Sequence, residues 1–370
     1  MNTDPEVIIG DADLSPSLAG ATGNWATDWS RRTIDLDELL IGIQAPDPRD
    51  VIPPIDEPQF ESISAADEWL EDREPGVLLE VDGIARFYPI RILTLHEIVN
   101  DVIADRPVVV TYCPLCNTAI AFDPTIGGQA HRFGVSGLLR NSDLVMWDDQ
   151  TQSLWQQITG EAIVGELAGT SLGFFGSSMV RWADFKDAFP IGEALSRETG
   201  FNITYGVNPY EGYSSRAAPF PFFEKEIDPR YPALERVVGV TLDDTSKAFP
   251  FSVIATEQAV NDEVGGFPIV VLWGAPDTAD ALDSGSITDS AAIGTGVAYS
   301  RTVDGRVLTF TANGDDTFTD AETGTTWNLL GFATEGELVG SRLTIATHRN
   351  EFWFAWGAFF PESDVYEGGR

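Results

Sequence analysis

Groups that bind metals, act as nucleophiles or carry positive charge are scarce in this sequence. Each scarcity reduces the range of functions that the protein can have. Among 370 residues there are two cysteines, three histidines and three methionines, and 22 basic residues stand against 58 acidic ones, a formal net charge of −36. Phosphate contacts require a basic surface, so direct nucleic-acid binding is excluded. No apolar run reaches the roughly 18–20 residues of a membrane-spanning helix, so no transmembrane segment is predicted. We expect a small molecule or a redox protein as the partner.

The acidic residues are distributed along the whole chain, and only three of the basic residues are lysines. Dispersed acid with little lysine is typical of a surface that stays hydrated in high salt, where screening suppresses self-repulsion. The composition favours a halophilic, haloarchaeal-like protein, with an acidic surface for a cationic partner as the alternative. The first residues lack the basic and apolar regions of a secretory signal, so a cytoplasmic location is expected unless an export signal has been removed.

An internal repeat is visible without any other sequence. Residues 85–116 and 246–277 align at one constant offset, which places Pro89 on Pro250. Downstream tryptophans then match in the same order: Trp155 with Trp327 and Trp182 with Trp353. Matched blocks in one order indicate a duplicated unit, and the period is too long for a solenoid.

Short apolar or alternating runs that end at Gly, Asp or Pro predict strands along most of the chain. Apolar residues at helical spacing predict a helix over 90–104, with others at 65–71 and 182–188. We therefore predict an α+β, β-rich fold with a pseudo-duplicated two-copy core in a single compact unit. The expected organisation is an extended N-terminal arm (1–60), a first copy (61–200), an irregular connection (201–234) and a second, degenerate copy (235–370).

The two cysteines form one motif, Cys113-Pro-Leu-Cys116, directly after an apolar run. This spacing lets both sulfurs bind one metal ion from a single loop, and imidazole is the commonest further ligand. His96 is therefore the candidate third ligand and Met146 a possible weak fourth. A sulfur-rich set with a thioether favours copper, with zinc as the second choice.

The second copy provides an internal control for this site. Cys113 aligns with Gly274, Cys116 with Asp277 and His96 with Glu257, while the Pro, Asn-Asp and Trp positions are retained. One copy therefore carries the titratable groups and the other keeps only the frame. Drift would give the same pattern.

Two other functions remain open for the cysteine pair. It can form a metal-free thiol–disulfide oxidoreductase centre with His96 as the proton-transfer partner. It can also be an inert pair in a non-catalytic binding or structural module. Whether the protein is an enzyme is not decided by the sequence. The segment Arg140, Asn141, Ser142 and Asp143 supplies polar groups that we expect to surround the site without binding the metal.

Four segments together resemble one known family. They are YPIRILTLHEIVND, VVVTYCPLCNTAIAFD, FGVSGLLRNSDLVMWDDQTQSLWQQITGEAIVG and FWFAWGAFFP, within about residues 30–365. The chain is similar to proteins with domain of unknown function 3179, and His96, Cys113 and Cys116 occupy motif positions of that family. The family's usual Gly after the second cysteine is Asn117 here, and its usual Trp before the histidine is Leu95. The family name implies no activity.

Overall fold

The computed structural model describes residues 6–369 and consists mainly of short strands. About 12% of the chain is helical and 40% is strand, which confirms a β-rich fold with few helices. The helices are α1 (Pro16–Thr22), α2 (Ile63–Ala66), α3 (Ile90–His96), α4 (Trp182–Ala188), α5 (Phe251–Glu257) and α6 (Trp353–Phe359), with 3-10 turns at Leu36–Glu38 and Ile287–Asp289. Across residues 6–369, no helix is both long and apolar enough to cross a membrane.

The strands fall into two series along the chain. The first series is β1 (Ile8–Ile9), β2 (Arg31–Arg32), β3 (Leu40–Ile41), β4 (Phe60–Ser62), β5 (Pro75–Val81), β6 (Ile84–Pro89), β7 (Ile98–Ile103), β8 (Arg106–Cys113), β9 (Thr118–Asp123), β10 (Thr125–Ile126), β11 (Gln129–Ala130), β12 (Phe133–Arg140), β13 (Asp143–Asp148), β14 (Leu154–Gln156), β15 (Glu161–Val164), β16 (Gly173–Phe175), β17 (Ser177–Arg181) and β18 (Glu193–Leu195). The second is β19 (Arg236–Leu242), β20 (Thr245–Pro250), β21 (Ala259–Val264), β22 (Phe267–Gly274), β23 (Thr295–Ser300), β24 (Thr302–Val303), β25 (Arg306–Val307), β26 (Phe310–Ala312), β27 (Thr317–Asp320), β28 (Thr326–Asn328), β29 (Ala333–Glu335), β30 (His348–Phe352) and β31 (Asp364–Val365).

The two series build corresponding sheets. The first gives β17-β5-β6-β18-β4, β16-β9-β8-β7 and β1-β2-β15-β14-β13-β12-β3, and the second gives β30-β19-β20-β31, β21-β22-β23 and β26-β27-β28-β29. Each half contains one parallel pair of strands, β6 with β18 in the first and β20 with β31 in the second. The other pairs of strands in these sheets are antiparallel. The same order of elements and the same parallel exception therefore occur twice in the chain.

The aligned residues make the same contacts in the two halves. Asn100 donates to the Phe133 carbonyl and accepts from its N–H, and Asn261 does the same with Phe310. Trp155 and Trp327, one aligned pair of the repeat, each donate a hydrogen bond to a buried aspartate of their own half. The retained Asn and Trp positions therefore hold one hairpin against one sheet in each half.

The predicted helix over 90–104 is wrong in its second part. Helix α3 ends at His96 because Glu97 has φ of 59°, and residues 98–103 then form β7 against β8. The β-branched Ile98, Val99 and Ile103 suit a strand buried on its apolar face. The helix at 182–188 is confirmed by α4, whereas the one predicted at 65–71 is the earlier and shorter α2.

The last strand but one of each half contacts the other half. Strand β17 pairs with β5 and also lies against β23, while β30 pairs with β19 and lies against β9. As a result, one apolar core contains Cys113 and Cys116 from the first half and Phe352 from the second. The surroundings of the cysteine site therefore depend on both halves.

Candidate metal centre

The cysteine turn joins the end of β8 to the start of β9. Cys113 is the last residue of β8, and Thr118 is the first of β9, so the four residues between them reverse the chain. Asn117 closes this turn with φ of 55°. Asparagine tolerates the left-handed region better than most residues, so it can stand where the family usually has glycine. Both cysteines are free thiols and buried.

A second turn, between β12 and β13, meets the cysteine turn. Asn141 and Ser142 have φ of 51° and 61°, as a two-residue type I′ hairpin requires. Non-glycine residues rarely adopt this conformation, and here it turns the Ser142 carbonyl towards the thiols. That carbonyl accepts from Cys116 Sγ at 3.3 Å and from Cys113 Sγ at 3.8 Å.

Asp143, the first residue of β13, completes a group of three ligand atoms. The two sulfurs and one Asp143 oxygen all lie within 4.8 Å of one another, and all three side chains are buried. Asp143 Oδ2 accepts from Gln156 Nε2 at 2.6 Å and from the Ile158 N–H at 3.0 Å. Its Oδ1, by contrast, is buried and has no hydrogen-bond partner in residues 6–369. One carboxylate oxygen therefore fixes the side chain and the other is available to a ligand.

Burial governs the protonation of this group. It raises the pKa of both thiols, and it raises the pKa of Asp143 to about 6 although the thiols and the Gln156 amide oppose the rise. Burial, with help from Asp143, also raises the pKa of Glu97 to about 8. Raised pKa values favour the protonated forms of these groups, so ionising them together is costly unless a cation joins them.

The structure does not bring His96 into this group. His96 Nδ1 lies 2.6 Å from the Pro53 carbonyl and Nε2 lies 2.7 Å from the Tyr205 hydroxyl, so both ring nitrogens have partners. At the aligned position, Glu257 accepts from the Tyr366 hydroxyl. A tyrosine therefore holds the end of the helix in both halves. The predicted role of His96 as a ligand stays a prediction without support from this geometry.

The other residues proposed from the sequence lie on the β12–β13 hairpin, which also carries Asp143. Met146 is fully buried on β13, in the same apolar core as the two cysteines. Arg140 donates to Glu38 and to Gln156 Oε1, and Gln156 in turn holds Asp143. Within the described chain, Asn141 Nδ2 and Ser142 Oγ are buried without a hydrogen-bond partner.

The segment 201–234, which carries no helix or strand, covers the site. The Tyr213 hydroxyl donates to the Leu115 carbonyl at 2.8 Å, and the Ser142 N–H donates to the Phe222 carbonyl at 3.1 Å. This segment therefore fastens to both turns that supply the ligand atoms. The sequence carried a signal for this role, since aromatic residues are dense in a stretch otherwise typical of an exposed loop.

The corresponding position in the second half contains a salt bridge. Asp277, aligned with Cys116, accepts from Arg181 Nη1, and Asp316 of the shorter β26–β27 hairpin lies 3.6 Å from Arg181 Nη2. Arg181 belongs to the first half, where it ends β17. The residue aligned with it is Phe352, whose N–H donates to the Cys116 carbonyl. Only the second half's site thus has an arginine at this aligned position.

A β-rich protein with a buried dithiol–carboxylate group is the class that fold and site define. The chain matches the family described as Protein of unknown function (DUF3179) over residues 49–363, and it belongs to that family. This confirms the family resemblance seen in the sequence. Searches of curated proteins and of solved structures gave no match.

Proposed function

We propose that this protein binds one transition metal ion through Cys113 Sγ, Cys116 Sγ and Asp143 Oδ1. The observation that carries the proposal is a buried group of two free thiols and one Asp143 oxygen within 4.8 Å of one another, in a carboxyl whose Oδ1 has no hydrogen-bond partner among residues 6–369. Buried polar atoms are nearly always satisfied, so an orphan among ligand-type atoms points to an absent partner. A cation would also offset the cost of burying three groups that ionise.

The second half supports the proposal independently. There the aligned acidic position is neutralised by Arg181, a cation that the chain supplies itself. In the first half Phe352 occupies the aligned place, and the nearby Arg349 donates to Glu351. Arg349 also interacts electrostatically with Asp143, but neither thiol accepts a hydrogen bond from an arginine among residues 6–369, so a metal ion would supply the charge that two thiolates require.

The donor set favours zinc over copper. The sequence favoured copper on the strength of His96 and Met146, but the ligand atoms in reach are two thiolates and a carboxylate. Zinc accepts this mixture of sulfur and oxygen, whereas copper in its reduced state prefers thiolate and thioether ligands. Copper with Met146 as a further ligand is the second choice.

Three protein ligands leave one position of a tetrahedral zinc ion for water or a substrate. Such an open position is typical of catalytic rather than structural zinc sites. With zinc, the protein would handle the metal or perform a Lewis-acid step, and with copper it would transfer electrons.

A metal-free thiol–disulfide centre is the alternative function. The two thiols are adjacent and reduced, which this function requires. However, burial raises the pKa of both, whereas reactive dithiols have a lowered pKa in a partly exposed setting. Thiol titration in defined redox buffers separates the two functions, because a redox pair must react at some potential.

Two further features belong with this proposal. We propose that residues 235–370 are a degenerate copy of residues 61–200, on the matching order of elements and the repeated Asn and Trp contacts. We also propose that the acidic surface is an adaptation to high salt, supported by the net charge of −36.

The test is metal analysis of protein purified in high salt without a metal-affinity tag. We expect about one equivalent of zinc or copper in the wild type and a loss of at least roughly a hundredfold in affinity in Asp143→Asn, measured by chelator competition. Asp315→Asn, at the tip of the second half's hairpin, is the matched control and should bind like the wild type. Full retention of metal by Cys113→Ser/Cys116→Ser would refute the proposal.

A further inference from the structure

A cavity of about 260 Å³ lies beside the cysteine turn and is not explained by the metal centre. Its wall is mostly apolar and includes Ile52, Leu115, Leu144, Phe220 and Phe222. Leu115 lies between the two cysteines, so the cavity and the metal centre share the Cys113–Cys116 turn. Pockets of this kind, apolar with a few convergent polar groups, are the usual form of a small-molecule site.

Two polar groups in the wall have no partner in the protein. Glu97 is 7% exposed, and its carboxyl group makes no hydrogen bond to any residue of the described range 6–369. Half-buried Tyr210 also lines the cavity, and its hydroxyl makes no hydrogen bond to another described residue. An unpaired carboxyl on a side chain this little exposed favours a ligand that hydrogen-bonds to it.

The backbone conformation at Glu97 fixes the position of its carboxyl group. Helix α3 ends there with φ of 59°, and the Glu97 carbonyl accepts from the Tyr112 N–H, which ties the residue to the strand that ends at Cys113. The aligned residue of the second half, Gln258, has φ of 60° and accepts from Trp273 in the same way. The backbone is therefore common to both halves, and the buried carboxyl belongs to the first half alone.

We propose that this cavity binds a small apolar molecule carrying one hydroxyl group, which donates to the Glu97 carboxyl and accepts from the Tyr210 hydroxyl. A hydroxyl both donates and accepts, so one group of this kind satisfies both orphans. The apolar body of the ligand fills the space between Leu115 and the two phenylalanines. This proposal extends the proposed function, because it places an organic ligand beside the proposed metal ion. Binding of the organic ligand in the cavity does not require the metal ion.

The test uses benzyl alcohol as the probe and toluene as its hydroxyl-free counterpart, with binding measured by calorimetry on the full chain. We expect wild-type protein to bind benzyl alcohol, and Glu97→Met and Tyr210→Phe each to weaken it by roughly threefold to tenfold. Toluene affinity should change less in either variant. Tyr366→Phe, the same substitution far from the cavity, should leave both affinities unchanged.

Two results would overturn the inference: no binding of benzyl alcohol to the wild type, or equal losses for toluene and benzyl alcohol in the variants. Repeating the titration on Cys113→Ser protein separates the two proposals. Retained benzyl alcohol binding there, with no metal bound by the wild type, would leave the cavity site standing and refute the metal centre alone.

Discussion

The two halves of this protein place the same frame around two different sites. In both, the same Asn contact joins two sheets, and a tryptophan donates to a buried aspartate of the neighbouring strand. In the second half the acidic position is 60% exposed and paired with Arg181, whereas Cys116 in the first half is fully buried. An exposed carboxylate is stabilised by a surface ion pair, whereas the buried thiols, whose pKa burial raises, ionise only at a cost that a bound cation would offset. The two aligned positions therefore differ both in burial and in the charge that faces them.

Phe352→Arg should produce the largest effect, because it gives the first half the arginine that the second half already has. A guanidinium beside Cys116 would supply the missing positive charge and compete with the metal ion. We expect metal affinity to fall by at least roughly a hundredfold, measured by chelator competition with both thiols still titratable. Phe352→Met is the control for lost aromatic packing, and equal metal binding in Phe352→Arg and wild type would break the comparison.

Arg181→Met should show that the second half depends on its arginine for stability. Asp184, which accepts two hydrogen bonds from Arg181, would lose its partner at a position where its side chain is only 17% exposed. We expect the free energy of unfolding to fall by about 1–3 kcal/mol in urea melts, with metal binding by the first half unchanged. Loss of metal from this variant would mean that the two sites are not independent.

Glu97→Gln puts the second half's residue into the first half and should change the pH dependence of stability. The pKa of Glu97 is raised from 4.5 to about 8 in the fold, so between these values the folded state holds a proton that the unfolded state has lost. Stability of the metal-free protein therefore falls as pH rises through this window, by about 1.4 kcal/mol per pH unit at most. Asp143 acts in the same direction, with its pKa raised to about 6.

We expect Glu97→Gln to gain stability relative to the wild type as pH rises from 5 to 8, in urea melts of chelator-treated protein. Gln258→Glu in the second half is the reciprocal variant. A constant difference between Glu97→Gln and wild type at every pH would contradict the raised pKa.

High salt should produce the smallest of these differences between the two sites. At roughly 2 M KCl the Debye length is only a few Å, so the exposed Arg181–Asp277 pair is screened while the buried dithiol site is not. We expect the destabilisation in Arg181→Met to shrink by a few tenths of a kcal/mol, while the wild type itself gains thermal stability. An Arg181→Met penalty that grows with salt would contradict this.

Sequence reasoning predicted the strands and the cysteine turn because their signals are local. Apolar runs bounded by Gly, Asp or Pro correspond to β5, β8, β9 and β13, and the cysteine spacing placed both sulfurs on one side of a turn. It misjudged the end of α3, because the helical spacing of Val99 and Ile103 equally suits a buried strand. Only the left-handed conformation at Glu97, which tertiary packing imposes, decides between them.

The third ligand atom could not be ranked from the sequence. Asp143 was placed around the site rather than in it, since its approach depends on a two-residue turn that meets the cysteines across the fold. His96 was favoured by residue type alone, and its hydrogen bonds to Pro53 and Tyr205 come from segments distant in sequence. Two further features also depend on contacts between residues distant in sequence. They are the covering of the site by residues 201–234 and the contacts of β17 and β30 with the opposite halves.

X-ray absorption spectroscopy of zinc-reconstituted protein tests the central claim most directly, because it counts sulfur ligands at the metal. We expect about one equivalent of zinc with two sulfur ligands at about 2.3 Å and oxygen or nitrogen in the remaining positions. Asp143→Asn should weaken the zinc site, and Cys113→Ser should remove one sulfur or the metal altogether. Zinc bound without sulfur ligands, or no zinc after reconstitution of reduced protein, would contradict the claim that the first half holds a metal where the second holds an arginine.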